Sequence, residues 1–440
     1  MTYPETIEYL YSRLPVFHRI GAAAYKPGLE TTIGFLNAIG NPQHKLKCIH
    51  IAGTNGKGSS SHSLASILQE AGYKTGLYTS PHLFDFRERI RIDSNMIPES
   101  VVVEKVHAWQ ALTEERKPSF FELTVALAFD FFASEKVDIA VIEVGMGGRL
   151  DSTNVIRPEL SLITNIGYDH QKFLGDNLPQ IAFEKAGIIK SGVPVVISEK
   201  QAETEAVFRK KAGAVNSGIH FAADWFDICD AGWEDGKRLV ETRNLLRNES
   251  RQYRLSLGGD YQLKNLGGVL ASVEILRNQG WAVPESALSN GLEKVKENTG
   301  LRGRWDVLQK EPLMICDTAH NEDGVREAMR QLQALPCKKL WMIWGMVNDK
   351  DHEKVISLLP ENARYIACQP DIPRALCSAE MNGMLLTSGR ESREITKVEE
   401  AVSFALSQAE KQDVIYIGGS TFTVASIPEK FFQAEIKPLL

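Results

Sequence analysis

The feature that most constrains this chain is an alternation of short apolar runs with amphipathic stretches over its first 200 residues. Taken together the runs are rich in Val and Ile, which is typical of strands buried in a parallel sheet. They are KCIHIA (47–52), KTGLYTS (74–80), VDIAVIEV (137–144), LSLITNI (160–166) and VPVVIS (193–198). Helical patterns such as residues 59–72 lie between them. Strands that alternate with helices predict a doubly wound α/β sheet.

A second alternation begins near residue 300. Residues 201–260 are more polar and predict a helix followed by short antiparallel strands, and helical patterns cover residues 263–279 and 286–297. Gly300 and Gly303 then mark a linker, after which apolar runs resume at 312–317, 338–345, 363–368 and 413–419. We therefore predict two domains. Residues 1–299 form a P-loop-type, mostly parallel sheet, and residues 300–440 form a smaller Rossmann-like α/β domain.

Charge and cysteine content exclude several classes of protein. The chain has 50 Lys and Arg against 56 Asp and Glu, and this net charge of −6 argues against non-specific nucleic-acid binding, which needs a basic surface. The six cysteines form no CxxC pair, which argues against zinc and indicates reduced thiols. The N-terminus resembles no targeting peptide, and no apolar run approaches the ~20 residues that span a bilayer. We expect a cytoplasmic monomer with small-molecule partners and no membrane partner.

Residues 49–63 carry the strongest chemical signal. The strand ends at Ala52, and a loop with three glycines leads through Lys57 into hydroxyl residues that open a helix. Glycines let backbone N–H groups surround a phosphate, and the helix N-terminus adds partial positive charge. Lys57 would bridge the terminal phosphates of ATP, and Ser59 could reach a magnesium ion. The predicted loop contains Gly53, Thr54, Asn55, Gly56, Lys57, Gly58 and Ser59. A glycine-rich turn that binds nothing is the structural alternative.

Glu143 is the second chemical signal. Four apolar residues, 139–142, precede it at the end of a predicted strand, and a glycine-rich loop follows. A carboxylate in this place can hold magnesium opposite the phosphate loop. Residues 118–132 predict a helix with an aromatic stripe, and such a stripe packs in a core more often than it binds a ligand.

Several motifs together resemble one enzyme family. AGTNGKGS (52–59), TSPHLFDFRERIRID (79–93), VDIAVIEVGMGGRLDSTN (137–154) and residues 165–190 are similar to the folylpolyglutamate/dihydrofolate synthases of the Mur ligase superfamily. The resemblance implies an ATP-dependent amide ligase that adds L-glutamate to dihydropteroate, to folylpolyglutamate, or to both. The substrate carboxylate would attack the γ-phosphate to give an acyl phosphate, which the glutamate amine then attacks. No protein nucleophile is needed.

The resemblance also implies a set of metal ligands and one modified side chain. Ser80, Glu143 and His170 would hold two Mg²⁺ ions, whereas His170 taken alone would be structural. Lys185 would carry a carbamate formed with CO₂, and with Lys57, Glu143 and His170 it completes the predicted catalytic set. The alternative for Lys185 is an ion pair with Glu184 on a helix face.

Substrate contacts are implied in the same way. The pterin or folate site would include Lys26, Pro27, Gly28, Ser119, Phe120, Phe121, Glu122, Leu150, Asp151 and Ser152. One of the two phenylalanines would stack on the flat ring, and Asp151 would accept hydrogen bonds from it, unless Asp151 only caps a helix. Asn265, Arg304 and Asp317 would contact ATP, and His320 would face the incoming glutamate.

Two other functions remain open at this stage. A Mur-type cell-wall ligase would join an amino acid to a nucleotide-sugar peptide and would lack the motifs of the pterin site. A P-loop NTPase without ligase activity would hydrolyse ATP steadily with no amine acceptor. The ligase predicts turnover that requires both glutamate and a pterin acceptor.

Overall fold

The computed structural model describes residues 1–16 and 28–433, so the predicted sites at Lys26 and Pro27 lie outside the described residues. The chain divides into two compact units. The first contains Met1–Ser256 and Gln262–Leu301, and the second contains Leu257–Tyr261 and the residues from Arg302 onward.

An eight-stranded sheet forms the centre of the first unit. Its strands are β1 (Cys48–Ala52), β2 (Thr75–Tyr78), β3 (Ile90–Ile92), β4 (Asn95–Met96), β5 (Ile139–Glu143), β6 (Leu160–Ile163), β7 (Val195–Ile197) and β8 (Ile219–Phe221). They are ordered β4-β3-β2-β5-β1-β6-β7-β8. The pairs from β2 to β8 are parallel, whereas β3 and β4 are antiparallel additions at one edge. The five predicted apolar runs are the adjacent strands β2, β5, β1, β6 and β7, which confirms the predicted α/β fold.

Helices cover both faces of this sheet because its central strands are apolar on both faces. Cys48 packs into one core and its neighbours Ile49 and Ile51 into another, as the two-residue period of a strand requires. The α-helices of this unit are α1 (Tyr3–Arg13), α2 (Glu30–Ala38), α3 (Lys57–Glu70), α4 (Glu99–Ala108), α5 (Gln110–Arg116), α6 (Phe120–Ser134), α7 (Gln171–Leu174), α8 (Leu178–Lys185), α9 (Ala202–Ala214), α10 (Gln262–Asn278), α11 (Glu285–Glu293) and α12 (Val295–Thr299).

A small antiparallel sheet completes the first unit. It consists of β9 (Phe226–Glu234), β10 (Lys237–Asn244) and β11 (Glu249–Leu255), in the order β11-β10-β9. Val240, Tyr253 and Leu255 join the core that also contains α3 and α10 residues. The predicted helix over 286–297 is instead two helices, α11 and α12, with Lys294 between them at φ −115°.

The second unit is a six-stranded α/β sheet. Its strands are β12 (Asp306–Lys310), β13 (Leu313–Cys316), β14 (Leu340–Trp344), β15 (Arg364–Gln369), β16 (Glu391–Lys397) and β17 (Val414–Gly418), ordered β12-β13-β17-β14-β15-β16. Only β12 is antiparallel to its neighbour among these described strands. The helices are α13 (Glu322–Gln333), α14 (His352–Ser357), α15 (Ser378–Thr387), α16 (Val398–Gln408), α17 (Thr421–Ala425) and α18 (Lys430–Gln433).

Residues 257–261 belong to the second unit, although they lie within the range predicted for the first domain. The side-chain amide of Gln331 in α13 binds this segment through both its nitrogen and its oxygen. Its Nε2 donates to the Gly258 carbonyl over 3.0 Å, and its Oε1 accepts from the Asp260 amide over 2.8 Å. Over residues 1–16 and 28–433, we find no helix with the length and apolar character needed to cross a membrane.

Candidate active site

The glycine-rich loop follows β1 and is shaped by close contacts. Gly53 has φ +150°, and a Cβ atom there would lie 1.8 Å from Oγ1 of Thr164. Gly56 has φ +88°, and a Cβ atom there would lie 2.1 Å from Oδ1 of Asn265. Both positions therefore combine a backbone conformation and a lack of space that only glycine satisfies. Asn265, predicted to contact ATP, thus lies against the loop itself.

The segment after β6 holds the first part of this loop. The Thr54 amide donates to the Asn165 carbonyl over 2.9 Å, and the Asn55 amide donates to Asn165 Oδ1 over 2.8 Å. Oγ1 of Thr54 accepts from the Gly167 amide and donates to the Gly167 carbonyl. Two loop amides are therefore engaged with protein acceptors. This narrows the candidate phosphate-binding amides to those from Gly56 onward, at the N-terminus of α3.

Two lysines converge on one carbonyl oxygen of the loop. Nζ of Lys57 donates to the carbonyls of Gly53 and Thr54, each over 3.0 Å. Nζ of Lys185, at the end of α8, donates to the same Gly53 carbonyl over 2.8 Å. Burial, followed by the positive charge of Lys57, lowers the pKa of Lys185 to about 7. A neutral amine is therefore accessible at Lys185 near neutral pH.

Lys185 does not form the alternative ion pair on the helix face. Glu184 instead pairs with Arg149, whose Nη2 lies 2.9 Å from Oε1 of Glu184. The side chain of Lys185 is 3% exposed and turns inward to the loop.

The predicted metal ligands Ser80 and Glu143 meet at the carboxyl edge of the sheet. Glu143 ends β5, and its Oε2 accepts a hydrogen bond of 3.2 Å from the Ser80 amide, which follows β2. Since β1 lies beside β5, this edge also carries the glycine-rich loop. Ser59, the other candidate, is buried, and its Oγ accepts from Nε2 of Gln262 over 3.1 Å. Hydroxyl and carboxylate oxygens are the donors that Mg²⁺ prefers.

His170 follows β6 and is the N-cap residue of α7, with a left-handed backbone at φ +51°. Its Nε2 lies 3.9 Å from Oδ2 of Asp169, whose Oδ1 accepts from the His170 amide. Within the described part of the chain, no group of three or more His, Cys, Asp or Glu side chains forms a metal cage. The predicted ligands Ser80, Glu143 and His170 would therefore need oxygens from a nucleotide or water to complete a coordination shell.

Both carboxylate oxygens of Asp151 accept hydrogen bonds from its own loop. Its Oδ1 accepts from the amide and the Oγ1 of Thr153 over 3.0 and 2.5 Å, and its Oδ2 accepts from the Met146 amide over 2.9 Å. Asp151 therefore caps the 3-10 helix at Ser152–Val155, and its contact with a pterin stays a prediction. Burial raises its pKa above the ordinary value.

The two phenylalanines of α6 lie in different environments. Phe120 is 3% exposed and stacks on Tyr11 with ring centroids 5.1 Å apart, so it belongs to the core. Phe121 is half-buried and lies over Gly145. A Cβ atom on Gly145 would lie 2.4 Å from Cζ of Phe121 and 3.2 Å from Oδ2 of Asp151. Phe121, Gly145 and Asp151 are thus neighbours.

The other predicted pterin residues surround the start of α6 or the loop before the 3-10 helix. Ser119 and Glu122 form a capping box, with the Ser119 amide 2.7 Å from Oε2 of Glu122 and the Glu122 amide 3.2 Å from Oγ of Ser119. Gly28 has φ +126°. Leu150 is half-buried and Ser152 is buried.

Three predicted residues cluster within the second unit. Oδ2 of Asp317 accepts from the Tyr261 hydroxyl over 2.6 Å and from the Trp305 amide over 2.7 Å, and burial raises the pKa of Asp317. Nη1 of Arg304 donates to Oγ1 of Thr318. Nδ1 of His320 donates to the Thr318 carbonyl over 2.9 Å. Thr318 therefore links Arg304 and His320 directly after β13.

Sequence patterns missed several residues that shape the site. Asn165 and Thr164 support the loop, and Gln262 joins Asn265 to Ser59 through hydrogen bonds of 2.9 and 3.1 Å. Asn165 stands two residues after the end of β6, but a single amide side chain carries no spacing signal in the sequence.

Two family models match the chain. Residues 51–273 match the Mur ligase middle domain, and residues 303–421 match the Mur ligase glutamate ligase domain. The first match contains the glycine-rich loop and the Glu143 strand, and the second contains Asp317 and His320.

Relatives that match over nearly the whole length of the chain identify the branch of the family. The chain is 33% identical to the folylpolyglutamate synthase of Lacticaseibacillus casei, over 97% of this chain and 98% of the relative. It is also 33% identical to the dihydrofolate synthase/folylpolyglutamate synthase of Bacillus subtilis, over 92% and 95%. A crystal structure of a bifunctional folylpolyglutamate synthase/dihydrofolate synthase with Mn, AMPPNP and L-glutamate bound superposes with a TM-score of 0.80 at 26% identity, covering 97% of each chain. The chain belongs to the folylpolyglutamate synthase/dihydrofolate synthase branch of the Mur ligase family.

Proposed function

We propose that this protein is an ATP-dependent ligase that adds L-glutamate to dihydropteroate and to folylpolyglutamate. The observation that carries the proposal is the meeting of Lys57, Lys185 and the glycine-rich loop at a sheet edge that also holds Glu143 and Ser80. The bifunctional relative that binds Mn, AMPPNP and L-glutamate supports the same set of ligands for this chain.

The reaction needs activation because a carboxylate and an amine do not condense in neutral water. The carboxylate of the pterin substrate attacks the γ-phosphate, which forms an acyl phosphate and releases ADP. The glutamate amine then attacks the acyl carbon, and phosphate leaves from the tetrahedral intermediate. Lys57 stabilises the charge that develops on the transferred phosphoryl group.

Lys57 exchanges partners when nucleotide binds. Its ammonium now donates to two neutral carbonyls of its own loop. Phosphate oxygens are charged acceptors and form stronger hydrogen bonds than carbonyls, so they displace these contacts. The amides from Gly56 to Ser59 at the start of α3 would surround the same phosphates.

Divalent metal would be held by oxygen donors at this edge. Glu143 and Ser80 are adjacent there, and His170 would supply a further ligand for a second ion. When bound, Mg²⁺ neutralises charge on the phosphates during transfer. Glu143 and Ser80 also orient one another through the hydrogen bond between them.

Lys185 would act as a carbamate. Its buried neutral amine attacks CO₂, a C–N bond forms, and one proton is released to solvent. The product is an anion beside Lys57, which replaces the repulsion between two ammonium groups by attraction. Supplying ¹³C-labelled bicarbonate should give a carbamate signal in the ¹³C NMR spectrum of the wild type and none in Lys185→Met. A spectrum that is the same for both proteins would contradict this role.

The substrate contacts are assigned from the residues that lie next to one another in the structure. Phe121 would stack on the pterin, since Gly145 leaves room for the ring and Asp151 orders the loop beside it. The residues that would border the site are Ser119, Glu122, Leu150, Ser152 and Gly28. Asn265, Arg304 and Asp317 would serve ATP, and His320 would serve glutamate. Phe120 is assigned to the core rather than to the ligand.

An assay with purified protein tests the function. ATP and L-glutamate are supplied with dihydropteroate in one reaction and with a reduced folate in another. We expect ADP release that requires both glutamate and the acceptor, and one new amide bond per ADP. Steady ADP release without an acceptor would support a P-loop NTPase instead. Turnover only with a nucleotide-sugar peptide would support a Mur-type cell-wall ligase.

A further inference from the structure

His50 is a polar residue in the middle of the central sheet. It lies on β1, paired in register with Ile142 of β5 and Ser161 of β6, three residues before Gly53. Its side chain is 0% exposed. An imidazole in such a place costs free energy unless hydrogen bonds replace those with water, and an apolar side chain would avoid this cost. The partners of His50 therefore indicate why a histidine occupies the position.

A chain of hydrogen bonds joins His50 to Asp151. Nε2 of His50 lies 2.9 Å from Oγ1 of Thr153, and this hydroxyl donates to Oδ1 of Asp151 over 2.5 Å. A threonine hydroxyl has a single hydrogen, so its oxygen must accept from His50 if that hydrogen goes to Asp151. His50 is therefore the neutral tautomer with its hydrogen on Nε2.

The other ring nitrogen agrees with this assignment. Nδ1 of His50 is buried and makes no hydrogen bond within the described part of the chain. An unprotonated nitrogen with a lone pair costs less in that state than a buried N–H group that finds no acceptor. Burial, followed by the charge of Lys190, lowers the pKa of His50 to about 3, so the ring stays neutral. Only Nε2 is used, and it is directed at Thr153.

This series of hydrogen bonds ends at Asp151, on the loop that borders Phe121. Asp151 accepts from the Met146 amide through Oδ2, the oxygen nearest to Gly145, while Oδ1 is the atom bound by Thr153. The orientation of the Asp151 carboxylate thus depends on Thr153, and the orientation of the Thr153 hydroxyl depends on His50. Without the Nε2 hydrogen, the Thr153 oxygen loses the donor that fixes it from the His50 side, and its bond to Asp151 no longer has this second support.

We propose that His50 is a positioning residue for the pterin acceptor, acting through Thr153 on the Asp151 carboxylate and the 145–151 loop. The inference rests on the proposed function, since it assumes that this loop contacts the acceptor. Its location on β1 means that the strand leading to the phosphate loop also orders the acceptor side. Nothing in the chain of contacts requires His50 to touch substrate.

Matched variants separate positioning from folding. His50→Gln keeps an N–H donor at the Nε2 position, and His50→Met removes it at similar volume. Thr153→Ser keeps the hydroxyl, and Thr153→Val removes it. We expect His50→Met and Thr153→Val to raise the KM for dihydropteroate about tenfold, the effect of losing one ordinary hydrogen bond. The KM for ATP should stay within about twofold, and His50→Gln and Thr153→Ser should stay near wild type.

The double variant tests whether the two residues act in one chain. His50→Met combined with Thr153→Val should raise the KM for dihydropteroate no further than Thr153→Val alone, because the contact is already lost. Effects of the two substitutions that multiply would overturn the proposal. Equal increases in the KM for ATP and the KM for dihydropteroate would also overturn it. An unchanged KM for dihydropteroate in both single variants would do the same. If His50→Met does not fold, the Thr153→Val and Thr153→Ser pair decides.

A spectroscopic measurement separates this inference from the function on which it rests. The ¹⁵N NMR spectrum of the wild-type imidazoles should show His50 as the neutral tautomer protonated on Nε2, and protonation on Nδ1 would overturn the proposal without any assay. Wild-type protein that incorporates no glutamate would instead overturn the proposed function. Normal wild-type turnover with an unaltered acceptor KM in the variants would overturn only the role of His50.

Discussion

Nζ of Lys185 donates a hydrogen bond of 2.8 Å to the carbonyl oxygen of Gly53. These residues are 132 positions apart in the chain, and Gly53 also accepts from Lys57. Two ammonium groups on one neutral oxygen repel each other, and this repulsion adds to the effect of burial on Lys185. This repulsion is relieved if Lys57 gains a phosphate as its anionic partner, or if Lys185 itself becomes an anionic carbamate.

Replacing Lys57 by alanine should abolish most glutamate incorporation. The ammonium is placed to stabilise charge on the transferred phosphoryl group, and loss of one such donor lowers kcat by about 10²–10³-fold. Lys74→Ala is the matched control, because Lys74 is an exposed lysine paired with Glu135 at 3.0 Å. Rates are measured by incorporation of labelled glutamate. Equal rates for Lys57→Ala and Lys74→Ala would refute the phosphate-loop assignment.

Lys185 should make stability rise with pH. Its pKa is about 7 when folded and close to the ordinary 10.5 when unfolded, so the unfolded chain binds more protons between these values. The destabilisation is complete below pH 7 and disappears as the pH rises toward 10.5. In CO₂-free buffer, the free energy of unfolding of the wild type, measured with urea, should rise relative to that of Lys185→Met. The expected rise is up to about 1.4 kcal/mol per pH unit in that window. Parallel pH profiles for the two proteins would contradict the shifted pKa.

Gly145→Ala should weaken use of the pterin acceptor. The new Cβ atom would lie 2.4 Å from Cζ of Phe121, so the ring or the loop must move. We expect the KM for dihydropteroate to rise on the order of tenfold, which corresponds to about 1.4 kcal/mol. Gly213→Ala in α9 is the control, because a Cβ atom there meets nothing within 4 Å. Its kinetics should match wild type, and a gain of up to about 1 kcal/mol in stability is expected from helix propensity. An unchanged acceptor KM in Gly145→Ala would count against the predicted pocket.

The two phenylalanines of α6 should respond differently to truncation. Phe120→Ala removes a core ring stacked on Tyr11 and should lower the free energy of unfolding by about 3–5 kcal/mol. Phe121→Ala removes a half-buried ring and should chiefly raise the acceptor KM. Urea unfolding and steady-state kinetics on both variants check this. The reverse pattern would assign stacking on the pterin to Phe120.

Local patterns in the sequence were enough to predict the central strands and the glycine-rich loop. Strands β1, β5 and β6 are buried along their whole length and are mostly apolar, and a run of this kind can be recognised without knowing which strands lie beside it. The loop combines Gly53, Gly56 and Lys57 between a strand and a helix, and each part has its own short-range signal. The exposed edge strand β16 was missed, because its alternating charged residues resemble a surface loop.

Tertiary structure alone decided which of these residues meet. The approach of Lys185 to Gly53, the choice between Phe120 and Phe121, and the support of the loop by Asn165 all depend on contacts between distant segments. Such contacts follow from the strand order, which places β1 between β5 and β6, and not from periodicity within any one segment. The sequence thus determined the secondary structure and the chemical inventory, while packing of the sheet determined the geometry in which that inventory acts.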